Sequence, residues 1–336
     1  MTTAPGQSAL DFALLNDFQR SFPLCERPFA EIGRQLCASE RWVLSRLARM
    51  VAIGQVSRVG AVFAPHAIGV STLAALRVPV ERLTEIAARV SRYRQVNHNY
   101  AREHALSLWF VVTALDEIDL GRVLCAIEAD ARCGPIITMP LLEEFRIDLG
   151  FDLRTGARGV TTQRAVVREP LTVQDRSLIG ALENGVPLIA RPFSAIAAHA
   201  RMREAQVLAR LRSWLDAGMI RRFGVVVRHH ELGFAANAMA VWDVPDDEVS
   251  GRGRHLARQS GVTLCYRRRR AQPDWPYNLF CMVHGRDRAS VRGQIDAMAQ
   301  TVGLAAFPHA LLFSTTRFKQ RGACYASPAH EVRRAA

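Results

Sequence analysis

The chain has 336 residues, 49% of them hydrophobic. That is long enough for two domains or more and too apolar for a disordered or low-complexity chain. No apolar run reaches the ~18 residues of a membrane span and no basic-then-apolar leader opens the chain, which predicts a soluble cytoplasmic protein. Seven cysteines (25, 37, 125, 133, 265, 281 and 324) form no CxxC pair; they read as buried thiols of a reducing compartment, without structural zinc or disulfides. Residues 1–150 hold 16 basic and 16 acidic side chains, so the formal charge of +13 lies in residues 151–336, with 28 basic and 15 acidic. Every basic residue except Lys319 is arginine. A GC-rich genome would give the same bias, but guanidinium forks suit carboxylates and phosphates, so the partner is expected to be anionic.

Self-similarity sets the architecture. Phe22-Pro23-Leu24 and Arg27-Pro28-Phe29 recur 164 residues later as Val186-Pro187-Leu188 and Arg191-Pro192-Phe193. Gly54, Arg58, Gly60 and Gly69 match Gly218, Arg222, Gly224 and Gly233 at the same offset. Further on, Tyr100-x-Arg102 matches Tyr266-x-Arg268 at offset 166, and Ser107–Phe110 matches Asn278–Cys281 at offset 171. Two copies of one unit are therefore joined by a linker.

Within each unit the elements follow in order. Phe29, Ile32 and Leu36 have helical spacing, and Val43, Leu44, Leu47, Met50 and Val51 give a second helix with Ser39 as N-cap. Gly54 ends that helix, and Val56–Phe63 alternates like a strand, predicting a winged helix-turn-helix. From Gly69 the pattern reads strand (Val70–Val78), helix (Val80–Arg92), strand (Gln95–Tyr100), strand (Leu106–Ala114), helix (Glu117–Ala131), strand (Ile136–Phe145). That order, βαββαβ, is ferredoxin-like. The predicted fold class is α+β in two tandem repeats. Residues 10–66 and 172–232 are the winged helices, 67–150 and 233–325 the ferredoxin-like modules, and 151–171 the linker.

The hairpin after the second module strand carries the chemistry-bearing residues. In the first unit it reads Asn97-His98-Asn99-Tyr100-Ala101-Arg102-Glu103-His104, then Leu108-Trp109-Phe110. In the second it reads Cys265-Tyr266-Arg267-Arg268-Arg269-Arg270, then Trp275-Pro276-Tyr277-Asn278-Leu279-Phe280. His98, Tyr100 and Arg102 share parity and so one strand face, and His104 falls at the turn, able to fold back over the same pocket. The repeat acts as an internal control: Leu264 stands at the place of His98 and Arg270 at that of His104, so the histidine pair belongs to the first unit alone.

A winged helix followed by βαββαβ resembles the Lrp/AsnC regulators, although those carry one unit per chain. The hairpin strings are similar to the siroheme decarboxylases, an offshoot of that family; HNYxRxH-x3-LWF resembles their NirD-type half and CYxR…WPYNLF their NirL-type half. The resemblance runs from Leu14 to Tyr325. It implies loss of CO2 from two acetate side chains of siroheme, giving 12,18-didecarboxysiroheme in haem d1 biosynthesis, with no cofactor because the iron arrives in the substrate. It also implies, by analogy, that the two sheets pack on each other as in Lrp-like dimers. The implied partners are siroheme and its products; a homodimer of the fused chain and contacts with other enzymes of haem d1 biosynthesis stay open.

Such chemistry needs a proton donor near neutral pKa and cations for the remaining carboxylates. His98 and His104 are the candidate general acids, or one of them an axial ligand of the substrate iron. Tyr100, Arg102, Tyr266, Arg268 and Arg270 are candidate substrate contacts, with Trp275 and Tyr277 as flat apolar walls or simply core. Arg58 and Arg222, on the two wing strands, face DNA phosphate, a substrate carboxylate or a neighbouring acid. His66, His199, His229, His230 and His255 read as surface or packing residues; the His229-His230 pair lacks a third metal ligand nearby. Two other functions compete. One is a DNA-binding regulator using Arg41, Arg46, Arg49, Arg203, Arg210 and Arg212, which the neutral first half disfavours. The other is a tetrapyrrole carrier, which needs the arginines but not the histidines.

Overall fold

The computed structural model describes residues 5–147, 169–227 and 236–325. The first unit opens with α1 (Pro5–Asn16), a 3-10 turn (Asp17–Gln19), α2 (Pro28–Gln35), α3 (Glu40–Ala52) and β1 (Val56–Phe63). Ser39 caps α3 by accepting the Trp42 N–H at 3.2 Å, and Gly54 follows the helix at φ 81°, a left-handed turn that glycine adopts without strain. The second unit repeats this with α6 (Val173–Leu182), α7 (Pro192–Ala200), α8 (Glu204–Asp216) and β6 (Ile220–Val227). Gly218 stands at the matching helix end at φ 70°.

The wing differs from expectation. Among the described residues neither wing strand pairs within its own unit; β1 pairs antiparallel with β6, so each unit contributes one strand to a shared ribbon with Gly60 opposite Gly224. The six helices and this ribbon enclose one apolar core. Phe22 meets Phe223 across the units with ring centroids 5.7 Å apart, and Phe63 meets Trp214 at 6.0 Å. A lone β-strand leaves its backbone donors and acceptors without ladder partners, and pairing with the sister unit's strand satisfies those on one edge.

The first ferredoxin-like module is β2 (Val70–Leu76), α4 (Leu83–Arg92), β3 (Val96–Arg102), β4 (Leu108–Ala114), α5 (Glu117–Ala131) and β5 (Ile137–Ile147). A 3-10 turn at Val80–Arg82, with Pro79 at its N-cap, precedes α4. The second module is β7 (Ala236–Trp242), α9 (Val249–Ala257), β8 (Val262–Arg268), β9 (Leu279–Gly285), α10 (Arg288–Thr301) and β10 (His309–Gln320).

The two sheets do more than pack face to face. β5 pairs with β8 and β10 with β3, both antiparallel, closing an eight-stranded barrel in the order β10-β3-β4-β2-β5-β8-β9-β7. Helices α4 and α5 cover one outer face and α9 and α10 the other, each with its own core. The barrel interior is a separate core built from both units, including Trp109, Met139, Trp275, Phe280 and Leu312. Among the described residues no helix is long and apolar enough to cross a membrane.

Three cysteines (265, 281 and 324) are buried, whereas Cys37 and Cys125 are exposed and Cys25 and Cys133 lie between; all seven are free thiols. The reading of all of them as buried is thus corrected: Cys37 lies in the left-handed turn after α2 (φ 52°) and Cys125 on α5, both facing solvent.

Trp275 is fully buried, in edge-on contact with Trp109 (4.9 Å, 66°) and Tyr277 (4.9 Å, 75°). Because its ring fills the barrel interior, Trp275→Ala is expected to cost about 3–5 kcal/mol, read as a lower urea midpoint against wild type.

Candidate functional site

Alternation along β3 sorts its side chains. Asn99 is fully buried and donates to the Ala87 carbonyl and Ser91 hydroxyl of α4, both at 3.0 Å. Val96 shares the α4 core, whereas His98, Tyr100 and Arg102 group together outside it. The His98 and Tyr100 rings stack at 6.3 Å, and the Arg102 guanidinium lies over the Tyr100 ring at 5.9 Å. The shared face expected from parity is therefore present. A β-bulge at Asn97, between the Val96 and His98 pairings, precedes it. Such an extra residue re-aims the side chain after it.

Arg102 donates to the Leu312 carbonyl of β10 at 2.9 Å and approaches the Met282 sulfur at 4.0 Å. Arg268 does the twofold-equivalent thing: it lies over the Tyr266 ring at 5.0 Å and donates to the Met139 carbonyl of β5 at 2.9 Å. Each guanidinium thus reaches from one unit to the last strand of the other. Among the described residues neither forms an ion pair with a carboxylate, and burial lowers both pKa values to about 10. Both stay protonated at neutral pH. A buried cation held only by a carbonyl lacks its natural counter-ion.

Arg58 reaches the same region from the ribbon. It donates to the Ala61 carbonyl at 3.1 Å, and its Nε is buried with no described acceptor. Burial lowers its pKa, and the nearby Arg321 charge lowers it further. His98 feels it too: burial, then the Arg58 charge, pull the His98 pKa to about 4. His98 is neutral at pH 7 in the unliganded protein, at the seam between barrel and ribbon.

The second unit's counterpart is differently furnished. Leu264 replaces His98, as the sequence requires. Opposite Tyr266 in the β5–β8 ladder stands Glu144, where Arg317 stands opposite Tyr100. Glu144 pairs with Arg221 at 3.1 Å. Tyr266 is pushed to a higher pKa, chiefly by burial.

Three candidates are placed otherwise than expected, and Trp275 takes the core alternative. Arg222 donates to the Gln19 and Val225 carbonyls at 2.9 and 3.1 Å, tying the first unit's 3-10 turn to β6. Arg270 is held by Asp243 at 2.8 Å, Asp246 at 2.9 Å and the Val244 and Pro276 carbonyls; its donors are engaged in fixing a loop. His104 does not fold back over His98. Its Nδ1 accepts the Leu106 N–H at 3.0 Å and its ring meets Trp275 edge-on at 5.4 Å, beyond the far end of a strand segment that carries Arg102 about 13 Å from His98. Trp275 is barrel core, with Tyr277 half-buried beside it.

Sequence reasoning missed the C-terminal residues Lys319, Arg321 and Gly322, which meet this pocket only through the β10–β3 pairing. Two of the arginines considered for DNA binding are ion-paired: Arg46 with Asp11 and Arg210 with Asp175, at matching places in the two units. Among the described residues no group of three His, Cys, Asp or Glu side chains could hold a metal; His229 and His230 lie outside the described residues.

Protonation of a neutral buried histidine weakens the fold. His98 takes up its proton near pH 6.5 when unfolded but near 4 when folded, so its contribution is intact above 6.5 and declines as pH falls toward 4. His98→Leu should reduce the acid-induced loss of unfolding free energy between pH 6.5 and 4 by up to about 3 kcal/mol, measured as urea midpoints across that range.

A profile of the AsnC-like ligand binding domain matches residues 67–146 and 231–319, and one of the siroheme decarboxylase NirDL-like HTH domain matches residues 11–56 and 175–221. The siroheme decarboxylase NirDL subunit of Paracoccus denitrificans is 42% identical over 95% of this chain and 98% of its own length. The siroheme decarboxylase of Hydrogenobacter thermophilus is 30% identical over 91% and 92%. A crystal structure of the siroheme decarboxylase NirDL in co-complex with an iron-uroporphyrin III analogue aligns at a TM-score of 0.69 and 27% identity, covering 98% of this chain and 97% of that one. With two tandem units, both domain profiles and full-length similarity, the chain belongs to the siroheme decarboxylase family of the fused NirDL type.

Proposed function

We propose that this chain is a carboxy-lyase that removes CO2 from the two acetate side chains at positions 12 and 18 of siroheme. The observation that carries this reading is the pocket's charge pattern: Arg58 and Arg102, buried without a described carboxylate, beside one neutral histidine. A polycarboxylate supplies the missing counter-ions, and family membership names the polycarboxylate.

In each decarboxylation a pyrrole carbon takes a proton, the bond between the acetate methylene and its carboxylate breaks, and that electron pair flows into the electron-poor ring. Protonation at the methylene then gives a methyl group, and loss of the first proton from the ring carbon restores the ring. The net change per acetate is one proton consumed and one CO2 released. His98 is the proton carrier in this proposal. Seating a substrate carboxylate on Arg58 cancels the charge that depresses His98 and places an anion beside it, and both effects move its pKa back toward neutrality. A neutral imidazole equally suits an axial contact with the substrate's iron. Arg102 and Arg268 hold carboxylates that stay, and Tyr100 and Tyr266 wall the ring. No cofactor beyond the iron carried by the substrate enters the scheme. His104 supports the hairpin, and only a ligand as broad as a tetrapyrrole touches both histidines. Cytoplasmic location, with siroheme delivered by other haem d1 enzymes, completes the reading.

The test is anaerobic incubation of purified protein with siroheme and mass analysis of the extracted tetrapyrrole. Two CO2 losses support the reading; tight binding without mass loss indicates a carrier instead. His98→Ala should lower turnover by about 10²–10⁴-fold, and His104→Ala much less. Equal losses in the two variants would overturn the separate roles. Arg58→Ala and Arg102→Ala should weaken siroheme binding, whereas Arg270→Ala should lower the unfolding midpoint.

A further inference from the structure

Arg58 is held by neighbours from three separated stretches of chain. Its own strand supplies only the Ala61 carbonyl. On one side lies Gly185 of the second helix-turn-helix, where an added Cβ would stand 3.0 Å from Arg58 Cβ and 3.3 Å from Cδ. The stem of Arg58 is thereby pinned. On the other side lies Gly322, where an added Cβ would stand 2.8 Å from Cζ and 2.9 Å from both terminal nitrogens. The guanidinium rests directly on the bare backbone of residue 322, and any side chain there must displace it.

The segment that brings Gly322 to this place is anchored at both ends. Upstream, Lys319 donates to the Ser91 and Tyr93 carbonyls at 2.6 and 2.8 Å, and the Arg321 N–H donates to the Asn97 carbonyl at 2.8 Å, beside the bulge that aims His98. Downstream, the Tyr325 N–H donates to Glu183 Oε1 at 2.7 Å, and the Cys324 thiol lies 3.0 Å from Glu183 Oε2. Glu183 follows α6 of the second helix-turn-helix, its side chain is only 5% exposed, and Arg94 of the first unit stands 3.8 Å away. A nearly buried carboxylate has therefore been placed where it fixes Cys324 and Tyr325.

We infer that residues 321–325 form a strap, latched by Glu183, that sets the Arg58 guanidinium for the substrate carboxylate, so that Gly322 and Glu183 are positioning residues of the siroheme site. This rests on the reading of function given above. The second helix-turn-helix would then serve the first unit's pocket as a clamp. The repeat offers a contrast: Gln19 occupies the place of Glu183, and there a carbonyl binds Arg222 directly. The second unit's arginine is tied down by the backbone, while the first unit's is presented by the strap.

The experiment uses full-length protein, anaerobic siroheme titration followed by absorbance, and single-turnover mass analysis. Gly322→Ala and Glu183→Ala should each weaken siroheme binding roughly tenfold, the size of a charge-assisted contact. Glu183→Gln should recover most of that, because its amide oxygen still accepts the Tyr325 N–H. The deciding step is a double-mutant cycle: on an Arg58→Ala background neither substitution should weaken binding further, since both act through Arg58. Additive losses, wild-type affinity in Gly322→Ala, or no loss in Arg58→Ala itself would each overturn the inference. Should Glu183→Ala fail to fold, Gly322→Ala, which removes no contact, decides alone. Failure of the wild-type protein to bind siroheme rejects the functional reading and the strap's role with it; wild-type turnover with unaffected variants rejects the strap only.

Discussion

The structure depends on the pairing of four sheet edges. A βαββαβ sheet exposes its second and fourth strands, and an exposed edge is a row of unpaired backbone donors and acceptors. Here β3 and β5 of the first unit are paired by β10 and β8 of the second. Closure removes all four edges at once and turns the uncovered faces of the two sheets into one interior. It also fixes register across units: Gln320 lies opposite His98 and Arg317 opposite Tyr100. Everything that distinguishes the pocket, from the carbonyl that receives Arg102 to the arrival of the C-terminal segment, follows from that seam.

Three guanidinium groups dominate the electrostatics of the site. Arg58, Arg102 and Arg268 each surrender much of their hydration, and the partial compensation they find is a carbonyl or an aromatic face. Burying a guanidinium this way costs several kcal/mol that a well-packed apolar residue would not. A site so arranged favours a multiply charged anion, because each carboxylate that enters satisfies a charge already committed. Burial and the Arg58 charge together hold His98 neutral.

The architecture was legible in the sequence to the extent that it is periodic. Internal offsets exposed the two units, helical spacing and Ser39 gave α3, and alternation placed His98, Tyr100 and Arg102 on one face. Features created by long-range pairing were not legible. Nothing local in Val56–Phe63 tells whether the strand completes a wing of its own or pairs with Ile220–Val227. The bulge at Asn97 has no glycine or other marker. Arg270 looked identical to Arg268 in the Arg267–Arg270 run; parity could not separate them, because what engages Arg270 is a pair of aspartates in a loop some 25 residues earlier. The C-terminal contribution had no signal at all, since it depends on where β10 ends rather than on what residues 321–325 are.

Covalent fusion of the two units has a consequence for how such a pocket can change over generations. In a symmetric pair of identical chains every substitution is made twice, so a residue useful in one pocket must be tolerable in the other. Joined in one polypeptide, the halves accumulate differences independently, and Leu264 against His98, Glu144 against Arg317 and Gln19 against Glu183 are such differences. The first half carries the histidine, while the second lends strands, a carboxylate and a bare glycine to its sibling. Joining the halves thus permits a division of labour that twofold symmetry forbids.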